Sequence, residues 1–434
     1  MTTPPERRTA VRNWIRDTAR PLTTVDPLAP LDDLRPLLDV LTERTAVVGY
    51  GAGTRGAHEV FALQARIAAL LIGTAGFRAV AFDQDWTLGV RLDAYVRTGA
   101  GDPEALLSAA EPFSRTEEVL ALVRWMRAFN ETRPPLGRAA PVRFVGVSPH
   151  ETGPSTYDTV TDYVQRAAPE LLDELAACYA DLRPRGEVSA HTRRFRALPD
   201  RRRWVDLARA AHALVAGAPG HDGHAWALQH ARVIVQYYEL HDHDDDPLDP
   251  HNMAAYERAF AENVAWWHRH TGHRTLFWTS GSHAAKAPTR TISFPPNPAS
   301  ASRNAGSHLQ DGLGDRYLSI GFTFGRGELA TYTDAPPHRV PGPAPSLAES
   351  VLDDDSTGDY LLDLHADAPQ PVADWLAGTA TLRTVGPAYD PDDDSGHHMT
   401  GGSLAEWFDV LVHRRHVTPA RLLGHREPPA TTRP

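Results

Sequence analysis

The chain has 434 residues, 41% of them hydrophobic and 23% charged, with a formal net charge of −11 at pH 7. That balance suits a globular protein with one large core and room for an insertion, and the acidity argues against the basic footprint of a nucleic-acid binder or a polybasic membrane anchor. No apolar run approaches the roughly 20 residues needed to span a bilayer.

The start, Met1-Thr-Thr-Pro-Pro-Glu-Arg-Arg, has no signal-peptide core behind it, which predicts a cytoplasmic protein. The first clear unit follows at 46–85. Ala46-Val-Val-Gly-Tyr50 is an apolar run suited to a buried strand. It meets the glycine cluster Gly51-Ala-Gly53-Thr-Arg-Gly56 and then a helical stretch. Val60, Leu63, Ile67 and Leu70 recur at helical spacing and predict one buried face. Gly76 is placed to stop that helix, and Ala79-Val-Ala-Phe82 reads as the next strand. Strand, helix and strand at this length form a right-handed parallel crossover.

Three further strands are expected at 142–147, 274–278 and 317–324. Between Ser148 and His251 the pattern is almost wholly helical, with long segments at about 156–182 and 201–240. The lone cysteine, Cys178, falls in that pattern as a packing residue and leaves no internal disulfide. The expected organisation is an α/β core at 12–147 and 252–420, a helical insertion at 148–251, and flexible tails at 1–11 and 421–434. The Pro- and Asp-rich stretches near 334–357 and 387–397 read as loops, and His241-Asp-His-Asp-Asp-Asp246 reads as a solvated loop.

Ligands of open parallel sheets bind beyond the carboxyl ends of the strands. Arg55 follows the first strand and Asp83 and Asp85 the second. Ser148 and His150 follow the third; Ser280, Ser282 and His283 follow the fourth. These residues predict an acid–base site on one rim. Each also has a plainer explanation: Arg55 as a loop brace, the aspartates as helix caps, His150 as a surface residue, His283 as a structural histidine. No Gly-x-Ser-x-Gly elbow surrounds the serines, which argues against a serine nucleophile. Gly51-x-Gly53-x-x-Gly56 also fits a dinucleotide fingerprint in outline, although Asp83 lies far beyond its last glycine and Arg55 brings bulk where little is tolerated. No metal-ligand spacing is present, and no cofactor is expected.

Several blocks together resemble the erythromycin esterase family. They are Val47-Val-Gly-Tyr-Gly-Ala-Gly-Thr-Arg-Gly-Ala-His-Glu59, Gly76-Phe-Arg-Ala-Val-Ala-Phe-Asp83, Phe260-Ala-Glu-Asn263 and Leu276-Phe-Trp-Thr-Ser-Gly-Ser-His283. Gly321-Phe-Thr-Phe-Gly325, Leu382-Arg-Thr-Val-Gly386 and Phe408-Asp-Val-Leu-Val-His413 extend the likeness to roughly 12–415. The resemblance implies an α/β core with a parallel-rich sheet, helical insertions and a deep cleft. It also implies opening of macrolactones by a water-activating histidine, helped by glutamates, an arginine and a later histidine pair.

Most of those positions differ here. By the resemblance, Ala52 stands at the first glutamate, Arg55 at the water-activating histidine and Gln64 at the arginine. Asp83 shortens the next carboxylate, Ser280 replaces the first histidine of the pair, and His283 and Glu59 are retained. Arginine stays protonated at any working pH and cannot act as a general base. The expected protein is therefore an enzyme of natural-product metabolism acting on a bulky polyketide- or peptide-like substrate by cyclisation, elimination or isomerisation. His283, Asp83, Arg55 and Glu59 would be its chemical groups, with Asp85, Gln64, Ser148, His150, Ser280 and Ser282 as substrate contacts. Two alternatives stay open: a remaining ester or lactone hydrolase using His283 with Asp83 or Glu59, and a catalytically silent small-molecule-binding protein.

Overall fold

The computed structural model describes residues 3–132, 140–242, 249–331 and 336–424. Among these, the strands are β1 (Arg20–Pro21), β2 (Val47–Ala52), β3 (Phe77–Asp85), β4 (Arg143–Ser148), β5 (Arg274–Ser280), β6 (Arg290–Ser293), β7 (Ser300–Ser302), β8 (Tyr317–Leu329), β9 (His338–Val340), β10 (Tyr360–Asp363), β11 (Leu382–Arg383), β12 (His398–Thr400) and β13 (Val410–Val417). The main sheet runs β1-β10-β13-β8-β2-β5-β3-β4, with β9 paired to β8. From β13 to β4 every pairing is parallel, and β10 and β1 add antiparallel at one edge. A separate small sheet runs β11-β12-β6-β7.

The five apolar runs expected as strands become β2, β3, β4, β5 and β8. Each residue of β2 is buried, as a central parallel strand covered on both faces requires. The following helix, His58–Thr74, buries Val60, Leu63, Ile67 and Leu70, and Gly76 turns the chain at φ 74° into β3. The glycines after β2 are explained by packing. A Cβ on Gly51 would come within 2.5 Å of the Gly281 backbone, and one on Gly53 within 2.8 Å of the Phe322 carbonyl. Both residues therefore serve close chain approach, which accounts for the glycine pattern without a dinucleotide.

The helical stretch between β4 and β5 departs from expectation in its breaks. The first long segment is split into helices Pro154–Ala167 and Leu172–Leu182, because Pro169 disfavours a helical residue before it and lacks the N–H to continue. The second is split into Arg202–Gly217 and His224–His241 around Gly220 and Gly223, the latter at φ 90°. These helices share an apolar cluster of their own, including Tyr157, Leu175, Phe195, Trp204 and Tyr238, with Cys178 packed inside it. Among the described residues no helix is long and apolar enough to cross a membrane.

The expected flexible start is a helix instead. Pro5–Thr18 buries Val11, Trp14 and Ile15 at helical spacing, and Trp14 Nε1 donates to the Asp367 carbonyl at 2.9 Å. Proline near the first helical position is compatible with that start, since its missing N–H has no partner there anyway. At the other end, the Arg421 amide bonds to the Glu118 carboxylate, and residues 425–434 of the expected tail lie outside the described residues. The loop expected around His241 is also revised: His241 ends a helix and is buried. Residues 243–246 of that cluster lie outside the described residues.

Candidate active site

The carboxyl ends of β2 and β5 open onto a cavity of about 490 Å³, with the end of β3 behind its lining. Its polar lining includes Arg55, Glu111, His150, Tyr256, Ser280, Ser282 and His283. Its apolar lining includes Phe113, Met253, Ile292, Phe294 and Val385. Two polar corners differ in kind.

At the first corner, Arg55 pairs with Asp83, which is 2% exposed and also accepts from Thr279 Oγ1 at 2.9 Å. The guanidinium lies 4.1 Å from the Phe113 ring centroid, a cation–π contact that fixes its plane. Burial raises the Asp83 carboxyl above its usual range even with Arg55 and His283 nearby. The corner is a fixed ion pair facing the cavity.

At the second corner, His283 Nδ1 lies 2.8 Å from Glu257 Oε1. A carboxylate accepts, so Nδ1 carries the proton and Nε2 remains for the cavity that His283 lines. Glu257 is fully buried and takes two further contacts. The Ala305 amide donates to its Oε2 at 2.7 Å, and Arg290 pairs with its Oε1. Burial pushes this carboxyl up, but His283, Arg290 and the amide outweigh it and hold it below the ordinary range. Arg290 is itself buried, and its Nε donates to the Ser282 carbonyl at 2.7 Å. Ser280 and Ser282 share a hydroxyl bond of 2.8 Å beside the imidazole.

A third group lines the cavity wall. His150 sits 3.7 Å from Glu111, and its carbonyl accepts from His241 Nε2 at 2.9 Å. Burial keeps His241 neutral, lowering it to about 3. Behind this wall, burial and the neighbouring Glu111 and Glu151 push the Asp85 carboxyl well above its ordinary range.

Of the sequence-predicted residues, Arg55, His150, Ser280, Ser282 and His283 line one cavity, with Asp83 directly behind Arg55. Asp83 is therefore the partner of Arg55, and Glu257 replaces it as the hydrogen-bond partner of His283. Asp85 and Ser148 lie behind the cavity lining, where Asp85 accepts from the Glu151 amide at 2.7 Å and Ser148 Oγ from the His150 amide at 3.1 Å. Glu59 and Gln64 are elsewhere. Glu59 accepts from the Thr418 amide at 2.7 Å and its hydroxyl at 2.8 Å, tying a helix start to the end of β13. Gln64 Nε2 donates to the Tyr50 carbonyl at 2.8 Å inside the core. Neither belongs to the cavity lining.

Sequence reasoning missed Glu257 and Arg290. The signal for Glu257 was a carboxylate at i−3 and i−7 from Phe260 and Val264, on the apolar face of the helix Pro250–Thr271. A carboxylate in such a stripe needs a partner, and that need marks it.

A family model described as erythromycin esterase matches residues 72–417. Three solved structures share the fold. A Bacillus cereus protein is 25% identical with a TM-score of 0.83, covering 96% of this chain and 99% of that one. A succinoglycan biosynthesis protein is 23% identical with a TM-score of 0.81, covering 97% and 100%. A mutant of the erythromycin esterase EreC in its open conformation is 15% identical with a TM-score of 0.69, covering 94% and 99%.

Proposed function

The chain belongs to the erythromycin esterase family, and on that premise we propose that it is an acid–base enzyme acting on a carbonyl-bearing small molecule without adding water. The observation that carries this reading is the His283–Glu257 bond of 2.8 Å, in a cavity that also holds Arg55. Glu257 fixes the imidazole with Nδ1 protonated and Nε2 as the free base. Nε2 removes a proton from a substrate carbon or hydroxyl. Arg55 takes the negative charge that develops on the neighbouring carbonyl oxygen. The imidazolium then returns the proton at a second atom, so an isomerisation or an addition cyclisation leaves the composition unchanged. In an elimination, the proton departs with the leaving group.

Two things support a route without water. By the family resemblance, Arg55 stands where water would be activated, and its guanidinium is a permanent cation in an ion pair. Ser280 stands where the first histidine of the later pair would be. Under this reading Arg55, Asp83 and His283 are the chemical groups, Glu257 is a positioning residue, and Ser280, Ser282 and His150 contact substrate. The apolar wall of Phe113, Met253, Ile292 and Phe294 suits a bulky polyketide- or peptide-like molecule of specialised metabolism.

A second reading, lactone or ester hydrolysis, is favoured by the same dyad, since a histidine fixed by a carboxylate also suits water activation. The test is mass spectrometry of the protein incubated with macrolactones and linear hydroxy-ester precursors. An isomeric product, or one lighter by its leaving group, supports the first reading. A product heavier by one water replaces it with hydrolysis, and an unchanged panel with saturable binding points to a silent binding protein.

A further inference from the structure

The small sheet supplies one wall of the cavity. Ile292 lies on β6, Phe294 to Asn297 lie in the link between β6 and β7, and Thr384 to Ala388 follow β11. The two links touch, for a Cβ on Gly386 would come within 3.0 Å of the Phe294 ring. One residue of this sheet reaches past the wall to the reacting corner. Arg290, the first residue of β6, spreads its buried guanidinium over three acceptors: Glu257, the Ser282 carbonyl at 2.7 Å, and Ser302 Oγ at 2.9 Å across the hairpin.

The hairpin is short. Its pairs are Arg290↔Ser302, Thr291↔Ala301 and Ile292↔Ser300, and β12 holds the other side of β6 through Thr400↔Thr291 and Met399↔Ile292. A strand held on both sides moves as a unit, so a displacement at Phe294 carries Arg290 with it. A buried guanidinium cannot follow such a shift freely. Its bonds to Glu257 and to the Ser282 carbonyl, next to His283, must stretch or re-form.

We propose that the β6–β7 hairpin regulates the site: an occupant pressing on Phe294 and its neighbours shifts β6, and Arg290 passes that shift to Glu257 and so to His283. This rests on the acid–base reading of His283. Arg290 and Glu257 are positioning residues here, because neither belongs to the cavity lining. The charged and titratable groups facing His283 are Glu257 and Tyr256 from the helix Pro250–Thr271, Arg290 from β6, and Asp83 from β3 with Arg55 beside it. If Arg290 lost its charge, Glu257 would be balanced chiefly by His283, and the imidazolium would gain.

The test is a double-substitution cycle read by histidine NMR, which needs no turnover. The titration midpoint and tautomer of His283 are followed in the wild type, Arg290→Gln, Arg290→Lys, Phe294→Ala and the Phe294→Ala/Arg290→Gln pair, with melting temperatures as a check on folding. Arg290→Gln is expected to raise the midpoint by about one pH unit, a tenfold change in proton affinity, and Arg290→Lys to restore most of it. Phe294→Ala alone is expected to move the His283 signal, and to move it no further once Arg290 is glutamine. If Arg290→Gln does not fold, the same Phe294→Ala comparison is made on Arg290→Lys, where the shift should shrink. A Phe294→Ala effect of equal size in every background, or none in the wild type, overturns the relay. A substrate panel that yields no product overturns the acid–base reading instead, and leaves this NMR result to be judged by itself.

Discussion

The two polar corners of the cavity sit on neighbouring strand ends of the same sheet, yet they carry opposite chemistry. At the Arg55 corner a permanent cation is locked against a buried Asp83 and stacked on Phe113. The guanidinium itself exchanges no proton at any working pH. At the His283 corner a buried carboxylate, held by an arginine and a backbone amide, orients an imidazole towards the cavity. Under the proposed reading, the difference lets one cavity hold charge at one corner and move a proton at the other. A guanidinium can still stabilise charge on a substrate oxygen, but only the imidazole can move a proton.

The largest expected effect tests that division directly. His283→Ala removes the group that exchanges a proton and should lower kcat of the folded fraction by about 10²–10⁴-fold, at some cost in stability because Glu257 loses a partner. A variant that keeps more than a tenth of the activity would place the chemistry elsewhere. Next comes Arg55→His. It breaks the pair with Asp83 and should lower non-hydrolytic turnover about tenfold or more, measured by product formation at saturating substrate. If the variant instead gains water addition, the Arg55 position is the one at which hydrolysis was lost.

A smaller effect separates site from scaffold. Glu59→Ala leaves the Thr418 amide and hydroxyl unpaired, which should cost about 1–3 kcal/mol of stability in denaturant unfolding. The kcat of the folded fraction should not move, because Glu59 bonds to Thr418 and lies outside the cavity lining.

The sharpest control is pH. Burial holds His230 and His241 neutral down to about 3, well below the value of 6.5 that an exposed imidazole has. The unfolded chain therefore takes up protons first as the pH falls. The stability these residues contribute is complete above about 6.5 and is lost as the pH drops from there towards 3. Melting temperatures recorded from pH 8 to 4 should fall over that window. A rate loss that does not track the fall in melting temperature then reports on the site rather than on unfolding.

Much of the fold was legible because central parallel strands are buried on both faces and read as unbroken apolar runs. The strand-end rule then collected Arg55, Asp83, His150, Ser280, Ser282 and His283 near one cavity. What it did not reach were contacts made by residues distant in sequence. Glu257 and Arg290 come from a helix interior and a short strand; the apolar stripe marks Glu257 as needing a partner, but only the structure joins it to His283 and Arg290. Glu59 erred in the other direction. Its motif suggested chemistry, but its carboxylate is used on a chain segment 359 residues away. The helix Pro5–Thr18 was hidden by its proline-rich start, although Val11, Trp14 and Ile15 already carried the spacing of a buried face.

The central claim is that His283 moves the proton, and chemical rescue tests it most directly. His283→Ala is incubated with substrate while free imidazole is raised. Turnover that returns in proportion to imidazole, following the titration of the added base, is the predicted result. A folded variant that stays inactive at every imidazole concentration, while the wild type turns over, would contradict it.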